Sequence, residues 1–287
     1  MANDVQLIID AGATKTEFVL LKNSETLHRF VSTGINANYA TDEEMDTIFN
    51  RFITSLPSIA HDNIAKVIYY GAGCANEQNA LRIGTVMMHY FPDVAFKVYS
   101  DLMGACHALC GTDSGLVAIL GTGSSSCLYD GKNIVKRAPS LGYLIGDEGS
   151  GTHLGKKLIT AYLMERFPQE LAREFEKEFS LDFQKVMRRI YRTSAPNRFF
   201  ASFAPFIQAH ISDLFIKQLC NQAFGEFFDT QIAYYDLEKE QKLNLIGTVA
   251  FQFKEPIEQM AVSRNIKIGK VISAPMNDLI QYHTKNN

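Results

Sequence analysis

A short segment near the start of the chain brings together residue types that can bind phosphate. Between two apolar stretches it contains Asp10, Gly12, Thr14 and Lys15. Backbone N–H groups and threonine hydroxyls in such a turn can donate to phosphate oxygens, and the Asp10 carboxylate can hold Mg²⁺ through water. An ordinary hairpin turn uses the same small residues, so this segment alone leaves a purely structural role open.

A second loop with the same chemistry lies near the middle of the chain and consists of Gly121, Thr122, Gly123 and Ser124. Each loop joins two predicted strands and opens its own half of the chain. The P-loop and the Rossmann turn both lead from a strand into a helix, so neither describes these loops. We therefore expect a phosphate held between two hairpins, in a cleft between two related halves.

Asp101 is the candidate catalytic base. It follows an apolar strand and precedes a predicted helix, so its carboxylate should lie at the carboxyl end of a strand. An acid in that position can orient a hydroxyl and take its proton during phosphoryl transfer. Aspartate is also a common helix N-cap, and the two roles are compatible.

Two further glycine-containing segments could contact small molecules. The loop from Gly142 to Gly151 places Asp147 and Glu148 before a long helix, where Asp147 could accept hydrogen bonds from a polyol. A glycine-rich N-cap with acids at the helix dipole would look similar. Gly247, between a strand and a helix, could lie beside an adenine ring.

The elements that must position these residues follow an α/β pattern. Apolar runs predict strands over residues 5–10, 17–22, 29–33, 66–70, 96–100, 116–120, 126–129, 133–137, 243–246 and 267–272. Helices are predicted over residues 77–90, 102–110, 255–263 and 276–283, after a helix capped by Thr41, with an almost wholly helical stretch over 149–235.

The repeat of the glycine loop predicts two domains. The N-terminal domain covers residues 1–112 and the C-terminal domain covers residues 113–275, with a helical insertion over 149–240. The last helix, 276–287, is expected to return to the N-terminal domain and pack on it.

Composition excludes several classes of protein. A net charge of −3 over 287 residues removes the electrostatic argument for nucleic-acid binding. The apolar runs are too short to span a bilayer, and the first residues lack a signal-peptide pattern, so we expect a cytoplasmic protein without membrane partners. Five cysteines and seven histidines show neither a disulfide framework nor zinc-ligand spacing.

Taken in order, these motifs resemble the N-acetylglucosamine kinase branch of the BadF/BadG/BcrA/BcrD ATPase family, within the actin, hexokinase and heat-shock chaperone superfamily. The resemblance covers essentially the whole chain, and its most specific element is Gly146-Asp-Glu-Gly-Ser150. It implies a two-domain actin/hexokinase-like, ribonuclease H-like ATPase fold with an interdomain cleft.

The resemblance also implies roles for individual residues. Asp101 matches the catalytic aspartate, and Asp10 matches a residue that holds Mg²⁺. The residues matching ATP contacts are Asp10, Gly12, Thr14, Lys15, Gly121, Thr122, Gly123, Ala201 and Gly247. Those matching the sugar pocket are Asn36, Ser124, Ser125, Ser140, Leu141 and Asp147. Leu141 stands where animal N-acetylglucosamine kinases carry tryptophan, which leaves the exact sugar open.

The hypothesis from the sequence is therefore an ATP- and Mg²⁺-dependent kinase of a small sugar, acting on O6 of N-acetylglucosamine or a related amino sugar. Glucosamine, N-acetylmuramate and glucose remain alternative substrates, and a homodimer remains open. Two other classes remain as alternatives: an ATPase that activates a radical dehydratase through an iron–sulfur cluster, and a nucleotide-binding regulator without kinase activity. The first needs thiolates at a subunit interface, but Cys74 in a loop and Cys127 in a predicted strand lack the loop-and-helix setting of those activators. An intact Asp101 argues against the second.

Overall fold

The structure is a computed structural model that describes residues 5–56, 64–236 and 241–285. The chain forms two compact units. Unit 1 consists of Met1–Thr112 together with Pro275–Asn287, and unit 2 consists of Asp113–Ala274.

Unit 1 is built on a five-stranded sheet with the order β3-β2-β1-β4-β5. Its strands are β1 Val5–Ala11, β2 Lys15–Lys22, β3 Glu25–Thr33, β4 Ile64–Gly71 and β5 Ala95–Ser100. The first three form an antiparallel meander, and β4 and β5 join them in parallel. The sheet is accompanied by the helices α1 Asp42–Ser55, α2 Glu77–Tyr90 and α3 Asp101–Leu109.

The central strands β1 and β2 are buried on both faces, which explains their nearly continuous apolar sequence. One face packs against buried residues of α1 and α2, where the ring of Phe18 stacks on Phe52 with centroids 4.5 Å apart. Helix α1 begins at the predicted cap: Thr41 accepts a hydrogen bond from the Glu44 amide, and the Glu44 carboxylate accepts one from the Thr41 amide.

Unit 2 repeats the same strand plan in the order β10-β9-β6-β7-β8. Its strands are β6 Gly115–Leu120, β7 Ser124–Tyr129, β8 Ile134–Arg137, β9 Lys242–Ile246 and β10 Lys267–Ile272. Here too a meander comes first, and the last two strands join it in parallel. Because β7 begins at Ser124, the predicted turn is shorter than expected and Ser124 belongs to the strand.

The helices of unit 2 lie mainly between β8 and β9. They are α4 Gly142–Ile145, α5 Gly151–Leu163, α6 Gln169–Phe179, α7 Phe183–Tyr191, α8 Pro196–Ala201, α9 Ala204–Ala209, α10 Leu214–Phe227, a π-helix Phe228–Ile232, α11 Thr248–Gln252 and α12 Lys254–Val262. The sequence did not predict α4, which interrupts the glycine-rich loop. Within the described residues, no helix has both the length and the apolar character needed to cross a membrane.

The last helix, α13 Met276–Lys285, packs on α3 within unit 1. The Tyr70 hydroxyl connects the two helices, because it lies 2.8 Å from Nδ1 of His107 on α3 and 2.9 Å from Nε2 of His283 on α13. Both histidines are buried, and burial lowers the pKa of each to about 4.

In unit 2, α5 and α8 approach so closely that a glycine is required between them. A Cβ atom on Gly155 would lie 1.9 Å from the Phe200 carbonyl oxygen, which belongs to the backbone and cannot rotate away. Gly225 on α10 is also helical, but the nearest atom to its Cβ position is Nη2 of Arg264 at 3.3 Å, the end of a flexible side chain.

These two glycines should respond oppositely to alanine. We expect Gly155→Ala to lower the free energy of unfolding by about 2 kcal/mol or more, because α5 and α8 must separate. The matched Gly225→Ala variant should raise it by up to about 1 kcal/mol, because alanine favours the helix and Arg264 can move. Urea denaturation followed by circular dichroism measures both; equal destabilisation of the two variants would contradict the close packing of α5 on α8.

The neutral histidines of unit 1 predict a loss of stability in mild acid. Between pH 6.5 and about pH 4 the unfolded chain binds protons at His107 and His283 that the folded chain does not, so stability falls as pH falls. Each such proton contributes a slope of about 1.4 kcal/mol per pH unit. We expect His283→Gln to lose less stability between pH 7 and pH 5 than the wild type; identical slopes would contradict a neutral buried His283.

Candidate active site

The first glycine loop is the turn between β1 and β2, and backbone hydrogen bonds define its shape. The Gly12 amide donates to the Lys15 carbonyl at 2.9 Å, and the Gly34 amide donates to the Thr14 carbonyl at 2.9 Å. A Cβ atom on Gly34 would lie 2.5 Å from the backbone of the loop, so only glycine allows this contact. The side chains of Thr14 and Lys15 are exposed, as a ligand-binding role requires.

Thr16, the last residue of the segment, has a structural role. Its side chain is fully buried, and its hydroxyl accepts a hydrogen bond from the Ile35 amide at 3.0 Å. Of the two threonines in this segment, Thr14 is therefore the one whose side chain is exposed.

Asp10 lies opposite Glu17 in the antiparallel register of β1 and β2, so both carboxylates share one face of the sheet. Glu17 is nearly buried and is held by two cations: Lys15 Nζ lies 2.7 Å from Oε2 and Arg29 Nε lies 3.1 Å from Oε1. The pKa of Asp10 is raised to about 7, mainly by burial and also by the charges of Glu17 and Asp101, while the charge of Lys15 acts in the opposite direction.

The chemistry of Asp10 fits a divalent cation. Among the described residues no hydrogen-bond donor engages its carboxylate, and two other carboxylates act on it electrostatically. Burying like charges together is unfavourable unless a positive charge accompanies them. A hydrated Mg²⁺ is a hard cation that prefers such oxygen ligands.

Asp101 is the first residue of α3 and directly follows β5. The structure corrects the alternative reading of Asp101 as an N-cap: the cap is Ser100, whose side chain accepts a hydrogen bond from the Met103 amide. Asp101 Oδ1 accepts one from its neighbour, the Leu102 amide, at 2.8 Å. Asp101 is half-buried, and its charge raises the pKa of Asp10, so the two carboxylates belong to one corner of unit 1.

Sequence reasoning missed Tyr69, which belongs to the same corner. Its side chain is fully buried, and its hydroxyl has no hydrogen-bond partner among the described residues. Burial raises its pKa, and the charges of Cys74, Asp10 and Asp101 raise it further. Its ring covers Gly71, where a Cβ atom would lie 2.3 Å from Cε1. A strand tyrosine normally indicates core packing, so the sequence gives no signal for this placement.

Asn36 lies next to the end of β4. It forms a parallel bridge with Ala72, and its Oδ1 accepts a hydrogen bond from the Asn38 amide at 3.0 Å. Gly73 has a positive φ of 84°, and a Cβ atom there would lie 2.9 Å from Asn36 Oδ1. The Asn36 side chain is therefore fixed from both sides.

The second glycine loop joins β6 to β7 and is attached to the start of α5. The Gly121 carbonyl accepts a hydrogen bond from the Gly151 amide at 2.8 Å, and the Thr122 carbonyl accepts one from the Thr152 amide at 3.1 Å. The Thr152 hydroxyl also donates to the Thr122 carbonyl, at 2.6 Å. These bonds fix the direction in which the carbonyls of the loop point.

Asp147 lies directly beside this loop. Its Oδ1 accepts a hydrogen bond from the Ser124 amide at 3.3 Å, and a Cβ atom on Gly123 would lie 2.9 Å from its Oδ2. Asp147 has a φ of 61°, in the left-handed region. Burial raises its pKa, whereas the Ser124 amide and the charge of Lys156 lower it.

The other residues of unit 2 that were predicted for the sugar pocket differ in their burial and hydrogen bonding. Ser124 is buried and its hydroxyl has no hydrogen-bond partner among the described residues, while Ser125 Oγ accepts a hydrogen bond from Arg137 at 3.4 Å. Leu141 is 54% exposed, and its Cβ packs beside Gly146, which precedes Asp147. Ser140 is exposed, with no hydrogen bond to this group within the described part of the chain.

Gly247 and Ala201 also approach the second loop. Gly247 has a φ of 123°, and a Cβ atom there would lie 2.3 Å from the Leu120 carbonyl oxygen, so it must be glycine whatever its role. Ala201, at the end of α8, lies 3.3 Å from the Cβ position of Gly151 at the start of α5. Unit 2 therefore gathers Gly121, Gly151, Ala201 and Gly247 around the end of β6.

Comparison with solved structures gives the fold. A candidate N-acetylglucosamine kinase from Porphyromonas gingivalis superposes with a TM-score of 0.92 at 35% identity, covering 98% of this chain and 99% of that one. A second candidate, from Chromobacterium violaceum, gives a TM-score of 0.73 at 18% identity, covering 97% and 98%. A ROK hexokinase from Thermus thermophilus gives 0.56 at 12% identity, covering 98% of both chains. The predicted α/β actin/hexokinase-like ATPase fold is confirmed.

Sequence comparison gives the family. No curated protein matches the chain significantly. The model of the BadF/BadG/BcrA/BcrD ATPase family matches residues 9–205, a range that includes both glycine loops, Asp101 and Asp147. The resemblance inferred from the motifs is thus confirmed, and the chain belongs to the BadF/BadG/BcrA/BcrD ATPase family.

Proposed function

We propose that this protein is an ATP-dependent sugar kinase that transfers the γ-phosphoryl group of MgATP to a hydroxyl, O6, of N-acetylglucosamine or a related amino sugar. The observation that carries the proposal is the placement of Asp101 at the end of β5, where its charge acts on the half-buried Asp10. The similarity to candidate N-acetylglucosamine kinases supports the class of acceptor.

Asp101 is proposed as the catalytic base. The acceptor oxygen attacks the γ-phosphorus, the bond from that phosphorus to the β–γ bridging oxygen breaks, and ADP leaves. The proton of the acceptor hydroxyl passes to the Asp101 carboxylate, which the Leu102 amide holds through Oδ1.

The nucleotide is proposed to contact residues of both glycine loops. In unit 1 these are Asp10, Gly12, Thr14 and Lys15, and in unit 2 they are Gly121, Thr122, Gly123, Ala201 and Gly247. Asp10 would hold Mg²⁺ through water, and the ion would neutralise charge on the phosphates. Glu17 is an addition to this set, because it binds Lys15 and thereby fixes a cation of the loop.

The acceptor sugar is proposed to contact Asn36, Ser124, Ser125, Ser140, Leu141 and Asp147. Asp147 is the best supported of these, because a half-buried carboxylate with few donors is suited to accept hydrogen bonds from two hydroxyls. The unpartnered hydroxyl of Ser124 beside it would be satisfied by the same ligand.

The alternative of a dehydratase activator finds no support in the cysteines. Cys74 and Cys127 are both buried, and burial raises the pKa of Cys74 to about 12. A thiol with such a pKa is a poor source of the thiolate that an iron–sulfur cluster needs.

Replacing Asp101 tests the proposed base. We expect Asp101→Asn to retain nucleotide binding, measured by calorimetry with ADP, and to lose about 100-fold or more in kcat, because the amide cannot take the proton. A coupled assay of ADP release over a panel of hexoses and hexosamines measures turnover and identifies the acceptor.

The control for this variant is Asp93→Asn, an exposed carboxylate in the same unit that should leave kcat unchanged. Unchanged turnover in Asp101→Asn would refute the assignment of the base. A 6-deoxy analogue of the best acceptor that is still phosphorylated would refute transfer to O6, and a wild-type enzyme inactive on the whole panel would refute the proposed function.

Replacing Asp147 should weaken the binding of the sugar and leave the binding of the nucleotide unchanged. We expect Asp147→Asn to weaken sugar binding about tenfold or more. The carboxylate accepts hydrogen bonds from sugar hydroxyls through two charged oxygens, whereas the amide has one uncharged acceptor oxygen and an NH₂ group that can only donate. Calorimetric titration with the sugar and separately with ADP measures the two affinities. The control is Asp130→Asn, which keeps Oδ1 for the Asn133 amide; parallel losses of both ligands in Asp147→Asn would contradict a role confined to the acceptor.

A further inference from the structure

A chain of hydrogen bonds in unit 2 runs from the Ala138 amide to the Glu148 carboxylate. The Ala138 amide lies 2.8 Å from the Tyr235 hydroxyl, and that hydroxyl lies 3.0 Å from Ser126 Oγ. Ser126 Oγ lies 3.2 Å from Gln231 Oε1, and Gln231 Nε2 lies 3.5 Å from Glu148 Oε2. Ser126, Gln231 and Tyr235 are all buried.

The donor and acceptor of each hydrogen bond in this chain can be assigned in only one way. The Ala138 amide can only donate, so the Tyr235 oxygen accepts from it. Because Ser126 donates to the Gln231 carbonyl oxygen, the Tyr235 hydroxyl must donate to Ser126. The amide nitrogen of Gln231 then donates to the carboxylate of Glu148. Each member therefore depends on its neighbour, and Gln231 is the member that joins the two hydroxyls to the carboxylate.

The segment that carries Gln231 and Tyr235 is the π-helix at the end of α10 and the turn that follows it. The Ala233 amide donates to the Phe228 carbonyl at 2.8 Å, five residues back. Gln231, Ile232 and Tyr235 follow Phe228 by three, four and seven residues, and all four are buried, whereas Tyr234 is 44% exposed. Gln231 and Tyr235 therefore lie on one buried side of this segment, where both reach Ser126.

Three members of this chain of hydrogen bonds belong to segments that carry residues of the proposed acceptor site. Ser126 follows Ser124 and Ser125 on β7. Ala138 leads directly to Ser140 and Leu141, and Glu148 follows Asp147. Gln231 thus ties the segments of Ser126 and Glu148 together, and Tyr235 ties Ala138 to Ser126.

We propose that Gln231, together with Tyr235, is a positioning residue that fixes the acceptor-binding segments of unit 2 and so determines which sugar the enzyme accepts. This inference rests on the proposed function and extends it to residues that do not touch the sugar. A site that recognises hydroxyls discriminates between sugars only if its own polar groups are held in place.

The test uses two variants that keep side-chain volume. Gln231→Met removes the amide and leaves Ser126 and Glu148 without this partner, and Tyr235→Phe removes one hydroxyl. For each we expect the KM of the acceptor to rise about tenfold, the change that corresponds to about 1.4 kcal/mol, with the KM of ATP changed less than about twofold. The ratio of kcat/KM between the best sugar and glucose should fall in both.

The matched control is Tyr234→Phe, because Tyr234 is the exposed neighbour whose ring lies 4.8 Å from Lys136 Nζ and takes no part in the chain. It should keep both KM values and the sugar preference. An active wild type whose acceptor KM and preference are unchanged in Gln231→Met and Tyr235→Phe would overturn this inference alone, as would equal changes in the KM of acceptor and ATP. A wild type inactive on every sugar would overturn the proposed function, and this inference with it.

Discussion

The candidate site depends on backbone segments that approach each other too closely for a side chain. In unit 1 Gly34 contacts the first loop where a Cβ atom would lie 2.5 Å from backbone atoms, and in unit 2 Gly247 approaches the Leu120 carbonyl to within 2.3 Å of a Cβ position. A larger residue at either place would displace the loop itself. Such contacts keep each loop at the end of a central strand, where its amides and exposed side chains can face a ligand.

The charges of unit 1 depend on this rigid frame. Asp10 and Glu17 share a face of the sheet because of their register, and burial alone would make two carboxylates there unfavourable. Lys15 and Arg29 form ion pairs with Glu17, whereas within the described residues no cation forms an ion pair with Asp10. The arrangement is therefore better suited to a site that receives a cation than to one that contributes to stability.

Much of this could be read from the sequence because the signals are local. The capping box at Thr41, the alternation of strands and helices, and the acid at the end of β5 all follow from residues within a few positions of each other. The cap of α3 could not be assigned in this way, since Ser100 and Asp101 are both good N-caps and only the backbone decides between them. Tyr69 could not be recognised either, because the groups that act on it, Cys74, Asp10 and Asp101, come from separate parts of the chain.

The hydrogen-bond chain from Ala138 to Glu148 shows why the rest could not be predicted. Helical spacing from Phe228 already places Gln231 and Tyr235 on one buried side of their segment, but it does not indicate which side chain they meet there. That side chain is Ser126 on β7, more than one hundred residues earlier in the sequence. No local pattern links positions so far apart, although each partner is needed by the other. Without Gln231 and Tyr235 the buried Ser126 hydroxyl would lose these partners, a cost comparable to the loss of a buried hydrogen bond.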